Sequence, residues 1–161
     1  MNLKEFFLKQ KAAVHNGALE VYGKIPRERL DWRPAEGFLS LGQVLRHLWM
    51  SEQGNRRIAL EGDWSYFEAR IPRGLFAILG EVESLDEELA EMERVHQETL
   101  RAVADFPYER WEEIRENPVF QVRRPIGVML FGLVEHHIHH RAQVGTYLRL
   151  LTGERASPYP H

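Results

Sequence analysis

The sequence contains no cysteine, which excludes disulfides, thiolate metal ligands and a cysteine nucleophile together. Any metal ion this chain holds is held by nitrogen and oxygen. It also lacks an uninterrupted apolar stretch near the roughly 20 residues that cross a bilayer. The opening Met1-Asn2-Leu3-Lys4-Glu5 carries charge at once, without the apolar run of a secretory leader. A cytoplasmic location away from membranes is the expectation. Excess charge of one sign is missing too: the formal net charge is -3. A duplex-binding protein uses a basic surface to displace counterions from phosphates, so nucleic acid is not an expected partner.

What is present is a chain of 161 residues, 43% hydrophobic and 28% charged, long enough to bury one core without stapling. A single domain over 1–161 is expected, and its punctuation divides it into four long helices. The first runs from about Leu3 to about Lys24, stopped by Ile25-Pro26. After a Pro- and Gly-marked loop in which Trp32 folds back over the bundle end, Ser40 and Gln43 form a capping box that opens a second helix ending near Leu60 before Gly62. A second capping box, Ser84 with Glu87, opens a third, closed after Phe106 by Pro107. Pro125 is placed as the first residue of a fourth, which runs to Leu151 and stops at Thr152-Gly153.

The connection from Gly62 to Ser84 is too long for a hairpin and too aromatic for a solvated linker, so it should cross one end of the bundle, with a short helical turn near Leu75 to Leu79. Nothing reads as a sheet, since the one alternating stretch, Val119 to Val122, is short. The tail Ser157 to His161 should fray. The fold class is therefore all-α, a single four-helix bundle.

Half of the eight histidines fall within Glu135-His136-His137-Ile138-His139-His140. Residues four apart on a helix stand one above the other, which lets His136 and His140 converge on one cation. Advancing by about 100° per residue puts both on the stripe of Met129, Leu133, Val144, Tyr147 and Leu151. His137 with His140 is a weaker competing pair. A third ligand must come from another helix, and His47 qualifies, sharing a face with Val44, Leu48, Ser51 and Ile58. Three imidazoles with a free position form an open site of catalytic type. Against this stands the ordinary role of histidine as a hydrogen-bonded core residue, to which His15 and His96 are assigned.

The segments Leu30-Asp31-Trp32-Arg33-Pro34, Leu39 to Leu48 around His47, and His136-x-x-x-His140-Arg141-Ala142-Gln143 followed by Tyr147 to Leu151 resemble the DinB/YfiT-type superfamily over nearly the whole chain. The resemblance implies an up-down-down-up bundle with the metal at one end of the core. It selects His47, His136 and His140 as ligands and leaves His137 and His139 behind them or in solvent. Ala142 departs from the glycine of many relatives without touching the ligands.

The implied function is that of an enzyme whose divalent ion, zinc or nickel, lowers the pKa of water or of a substrate thiol. Hydrolysis and transfer chemistry on a low-molecular-weight thiol both fit, as does a rival reading as a metal-stabilised binding or stress-response protein without turnover. Pocket candidates are Gln43, Ser51, Gln143 and Tyr147. Glu52 and Glu135 are rotated away from the ligand faces, so no general acid or base is apparent; Arg46 and Arg141 hold an anionic substrate only if they lie at the pocket rim, and are otherwise assigned to surface ion pairs. Homodimerisation is a family-level expectation.

Overall fold

The computed structural model describes residues 1–118, 121–154 and 156. Four long helices form: α1 (Leu3–Tyr22), α2 (Leu41–Glu61), α5 (Leu85–Asp105) and α6 (Ile126–Thr152), with the short helices α3 (Ser65–Glu68) and α4 (Leu75–Leu79) in the crossover between α2 and α5. Their boundaries follow from local chemistry. Ser40 and Gln43 close the expected reciprocal cap on α2, and a second such box, Asn2 with Glu5, opens α1. At Ser84 only the first half of the expected box forms, the hydroxyl accepting from the Glu87 N–H. Gly62, at φ +71°, takes the left-handed conformation that ends α2, which a side chain would strain. Among the described residues no helix is long and apolar enough to cross a membrane.

One expectation is corrected. Strands β1 (Ile114–Asn117) and β2 (Val122–Pro125) pair antiparallel, with Arg115 opposite Arg124 and Asn117 opposite Val122. Pro125 is accordingly the last residue of β2 and the N-cap of α6 rather than its first residue. Of the stretch read as too short for a sheet, Val122 belongs to β2, whereas Val119 lies outside the described residues, as does the tail from Ser157 to His161.

The helix directions can be read from side-chain pairs. Arg46 meets Glu88 and Arg56 meets Glu98, so α2 and α5 run parallel. Lys4 donates to the Phe106 carbonyl while His15 meets Glu93, so α1 and α5 run antiparallel. Phe7 packs on Phe131 and His15 on His137, so α1 and α6 run parallel. The order is up-down-down-up, and the parallel α2/α5 pair requires the long crossover, because a tight turn can only join antiparallel neighbours.

Two apolar clusters fill the bundle. One gathers Tyr22, Leu41, Leu45, Leu48, Met92 and Tyr147, with Trp32 folded against it as expected. The other gathers Phe7, Leu60, Val103, Trp111, Ile126 and Leu130. Between them lies a polar layer to which every long helix contributes. Lys11, 0% exposed, sits with its Nζ 2.9 Å from Glu52 Oε2 and 3.1 Å from His96 Nδ1. His137 Nε2 lies 2.8 Å from the same Glu52 oxygen. His15 stacks on His96 with ring centroids 3.8 Å apart and reaches Glu93 at 2.7 Å. His15 and His96 are thus the hydrogen-bonded core histidines expected.

Burial, followed by the nearby Lys11 charge, pushes His96 down to about 3, and burial likewise lowers His15. As pH falls, the unfolded chain takes up protons on these rings near its ordinary value of about 6.5, before the folded chain does. Their contribution is therefore complete above that value and is lost on acidification. The thermal midpoint of the metal-free protein is expected to drop between about pH 7 and about pH 5, a window in which carboxylates stay ionised. A midpoint flat across that range would contradict buried neutral histidines.

Candidate metal centre

His47 lies in the second turn of α2, fixed by the Ser40 cap seven residues before it, and His136 and His140 stand one turn apart in the middle of α6. The antiparallel contact of α2 with α6 brings the three rings together. His136 Nε2 is 3.1 Å from His47 Nε2 and 3.0 Å from His140 Nε2. One ligand atom from each residue lies within 4.8 Å of the other two. Nitrogens at about 2.0–2.1 Å from a tetrahedral ion stand about 3.4 Å apart, so a few tenths of an ångström of ring movement accommodates one.

The surrounding groups suit metal ligation. His140 donates its Nδ1 proton to Gln143 Oε1 at 2.6 Å, and Gln143 in turn donates to the Tyr147 hydroxyl at 2.9 Å. That chain holds the Nε2 lone pair toward the other two rings, the orienting role that outer partners play in histidine metal sites. Burial, then the charge His140 would carry, lowers His47 to about 4. Burial, then His140 and His47, lowers His136 to about 3, and burial lowers His140 as well. All three are neutral near pH 7, with lone pairs available.

The triad lies on the α2/α6 seam with His47 and His136 half-buried, not on the bundle axis. The axis is taken by the Lys11–Glu52–His137 group. Glu52 does face away from the ligands, as expected, but into the interior. Burial alone would push its carboxyl up; Lys11 and His137 hold it well below the usual carboxylate range. His137, expected behind the ligands or in solvent, is buried against Glu52, while His139 is exposed with its ring beside His140.

Two clefts reach His47. A cleft of about 360 Å³ lies between α2, α6 and the hairpin, lined by His47, His136, Ser51, Asn55, Asn117, Val122, Arg124 and Met129. A second, of about 280 Å³, lies between α2 and the crossover, lined by His47, Met50, Ser51, Phe67, Arg70, Ile71, Leu75 and Leu79. Gly54 lets the crossover come this close, since a Cβ there would stand 2.4 Å from the Phe67 ring.

Of the four pocket candidates, Ser51 lines both clefts, and Gln143 and Tyr147 form the outer chain behind His140. Gln43 is corrected: its amide is spent on the Ser40 cap and on the Gly80 carbonyl and borders neither cleft. Arg46 pairs with Glu88 and donates to the Leu79 and Glu81 carbonyls, a tether of the crossover more than a surface ion pair. Sequence reasoning missed Asn55, Asn117 and Arg124. The last two sit on the hairpin, and only recognition of its strand alternation would have placed them on one face.

A parallel-crossover four-helix bundle with three convergent imidazoles on a seam defines a class of helical protein with a candidate metal centre. The chain belongs to the DinB superfamily, whose family model matches residues 12–144. Its fold is similar to that of a DinB-like protein of Bacillus subtilis, at 18% identity, TM-score 0.72 and 95% coverage of both chains. A DinB-like protein of Bacillus cereus matches at 17% identity and TM-score 0.72, covering 98% of this chain and 97% of that one. YfiT of Bacillus subtilis, described as a probable metal-dependent hydrolase with an unusual four-helix bundle topology, matches at 15% identity and TM-score 0.71, covering 92% and 87%. No curated protein matches the sequence.

Proposed function

We propose that the protein is an enzyme that holds one divalent ion, zinc or nickel, through His47, His136 and His140 and uses it to activate water or a small-molecule thiol. The observation that carries this reading is the convergence of three imidazoles, two of which, His47 and His136, line an open cleft. The ion supplies a Lewis acid that lowers the pKa of whichever ligand fills its open position. The chain does the rest: Gln143 and Tyr147 fix the tautomer of His140, the apolar wall of Val122, Met129 and Leu133 excludes water from one side, and Ser51 offers a hydroxyl beside the ligands.

Hydrolysis is the reaction suggested by the name given to YfiT. Transfer chemistry on a thiol is favoured by one specific observation, the second cleft. A hydrolase needs space for one organic substrate, whereas a group transfer needs space for two, and here two clefts of different character share His47 and Ser51. A purely structural ion would be closed off by a fourth protein ligand, and among the described residues no fourth metal-binding side chain joins the cluster.

Cobalt-substituted protein distinguishes these readings. One equivalent of Co²⁺ is expected to bind, and added 2-mercaptoethanol is expected to produce a thiolate-to-cobalt charge-transfer band. A cobalt spectrum indifferent to thiol, with no solvent water on the ion by relaxation, would assign the centre a structural role.

A further inference from the structure

The hairpin wall of the larger cleft carries a charge that the fold does not use. Side chains alternate along a strand, so Arg115 and Asn117 of β1 share one face with Val122 and Arg124 of β2. That face turns toward α2. Asn117 donates to Asn55 at 3.2 Å, and Arg115 donates to the Ala59 carbonyl at 3.4 Å. Arg115 and Arg124 stand directly opposite each other in register. Like charges at such a position disfavour the hairpin, yet only Arg115 has a carboxylate near it, Glu113 at 3.9 Å. Among the described residues Arg124 makes no ion pair, and no Asp or Glu lines the cleft that it shares with His47 and His136.

Resting on the metal reading above, we infer that Arg124 is the specificity residue of this cleft, binding the carboxylate or phosphate of a substrate whose other end reaches the three histidines. A guanidinium presents two parallel N–H donors to either anion, and the bond is charge-assisted on both sides. Val122, Met129 and Leu133 line the passage between the two ends, so the substrate is an anion with an apolar middle. The Asn55–Asn117 bond ties the hairpin to α2 and holds the arginine at the cleft rim.

The test titrates the cobalt-loaded full chain with mercaptocarboxylates of increasing length, the corresponding mercaptoalkyl phosphates and the neutral mercaptoamides at low ionic strength, reading the thiolate-to-cobalt band. At least one chain length of carboxylate or phosphate is expected to bind about tenfold or more tightly than its amide, as a hydrogen bond to a charged group allows. In Arg124→Gln that preference is expected to fall to about twofold or less, with cobalt content and amide affinity unchanged. Whichever anion shows the larger preference identifies the substrate's charged group. Equal affinities in the parent protein, or a preference that survives Arg124→Gln, would overturn the assignment while leaving the metal reading intact. Failure of the parent to bind cobalt would overturn both.

Discussion

Replacing His136 with alanine is expected to leave the purified protein essentially free of metal, with affinity reduced by more than about 100-fold. His136 is the hub of the centre: its Nε2 lies within 3.1 Å of the corresponding nitrogens of His47 and His140. Loss of a group behind a ligand ordinarily costs about 10–100-fold in metal affinity, so loss of the ligand itself costs more. His47→Ala should match it, because the remaining pair on α6 cannot hold an ion without the second helix. Gln143→Ala should fall in the smaller range, since it frees the His140 ring without removing a donor. Elemental analysis of untagged protein with competitive chelator titrations measures all three. Parent-like metal content in His47→Ala and His136→Ala would defeat the ligand assignment, and a Gln143→Ala loss as large as theirs would defeat the hierarchy.

The second large effect concerns the interior. Glu52 is 2% exposed and is the carboxylate that faces both Lys11 and His137. Removing one member of a buried ion pair leaves its partner uncompensated, at a cost of about 3–5 kcal/mol. Glu52→Ala should therefore lower the thermal midpoint by roughly 10 °C, at about 2–4 °C per kcal/mol for a chain of this size. The double variant Lys11→Met/Glu52→Leu replaces the pair with apolar side chains of similar length and should recover most of that loss. Calorimetry of the metal-free proteins decides the matter. A Glu52→Ala midpoint within a degree or two of the parent, or a double variant no better than the single, would show that the pair is not the core element described here.

The helical frame was legible because capping is local chemistry. Ser40 with Gln43, and Gly62, sit where a three-residue window places them. His136 and His140 were legible for the same reason: a four-residue spacing on one helix is a distance. Adding His47 required the packing of α2 on α6, and here the family resemblance contributed what periodicity could not. The hairpin was lost because each strand has only four residues and its alternating members, Arg115, Asn117 and Arg124, are polar, so no hydrophobic period marks them. The polar layer was lost for a different reason. Helical periodicity says which residues share a face but not which face meets the interior, and nothing in the spacing of Lys11 or Glu52 points inward until their partners on α5 and α6 are in view.

His136 and His137 are neighbours on one rigid rod, the first turned to the seam and the second to the bundle's axis. Because about 100° separates successive residues on a helix, neither ring can be re-aimed by rolling α6 without dislodging the other. The azimuth at which this helix is set in the bundle is therefore fixed twice, from inside by a carboxylate and from the flank by imidazoles. A lineage that altered the interior pairing would have to rebuild the flank at the same time.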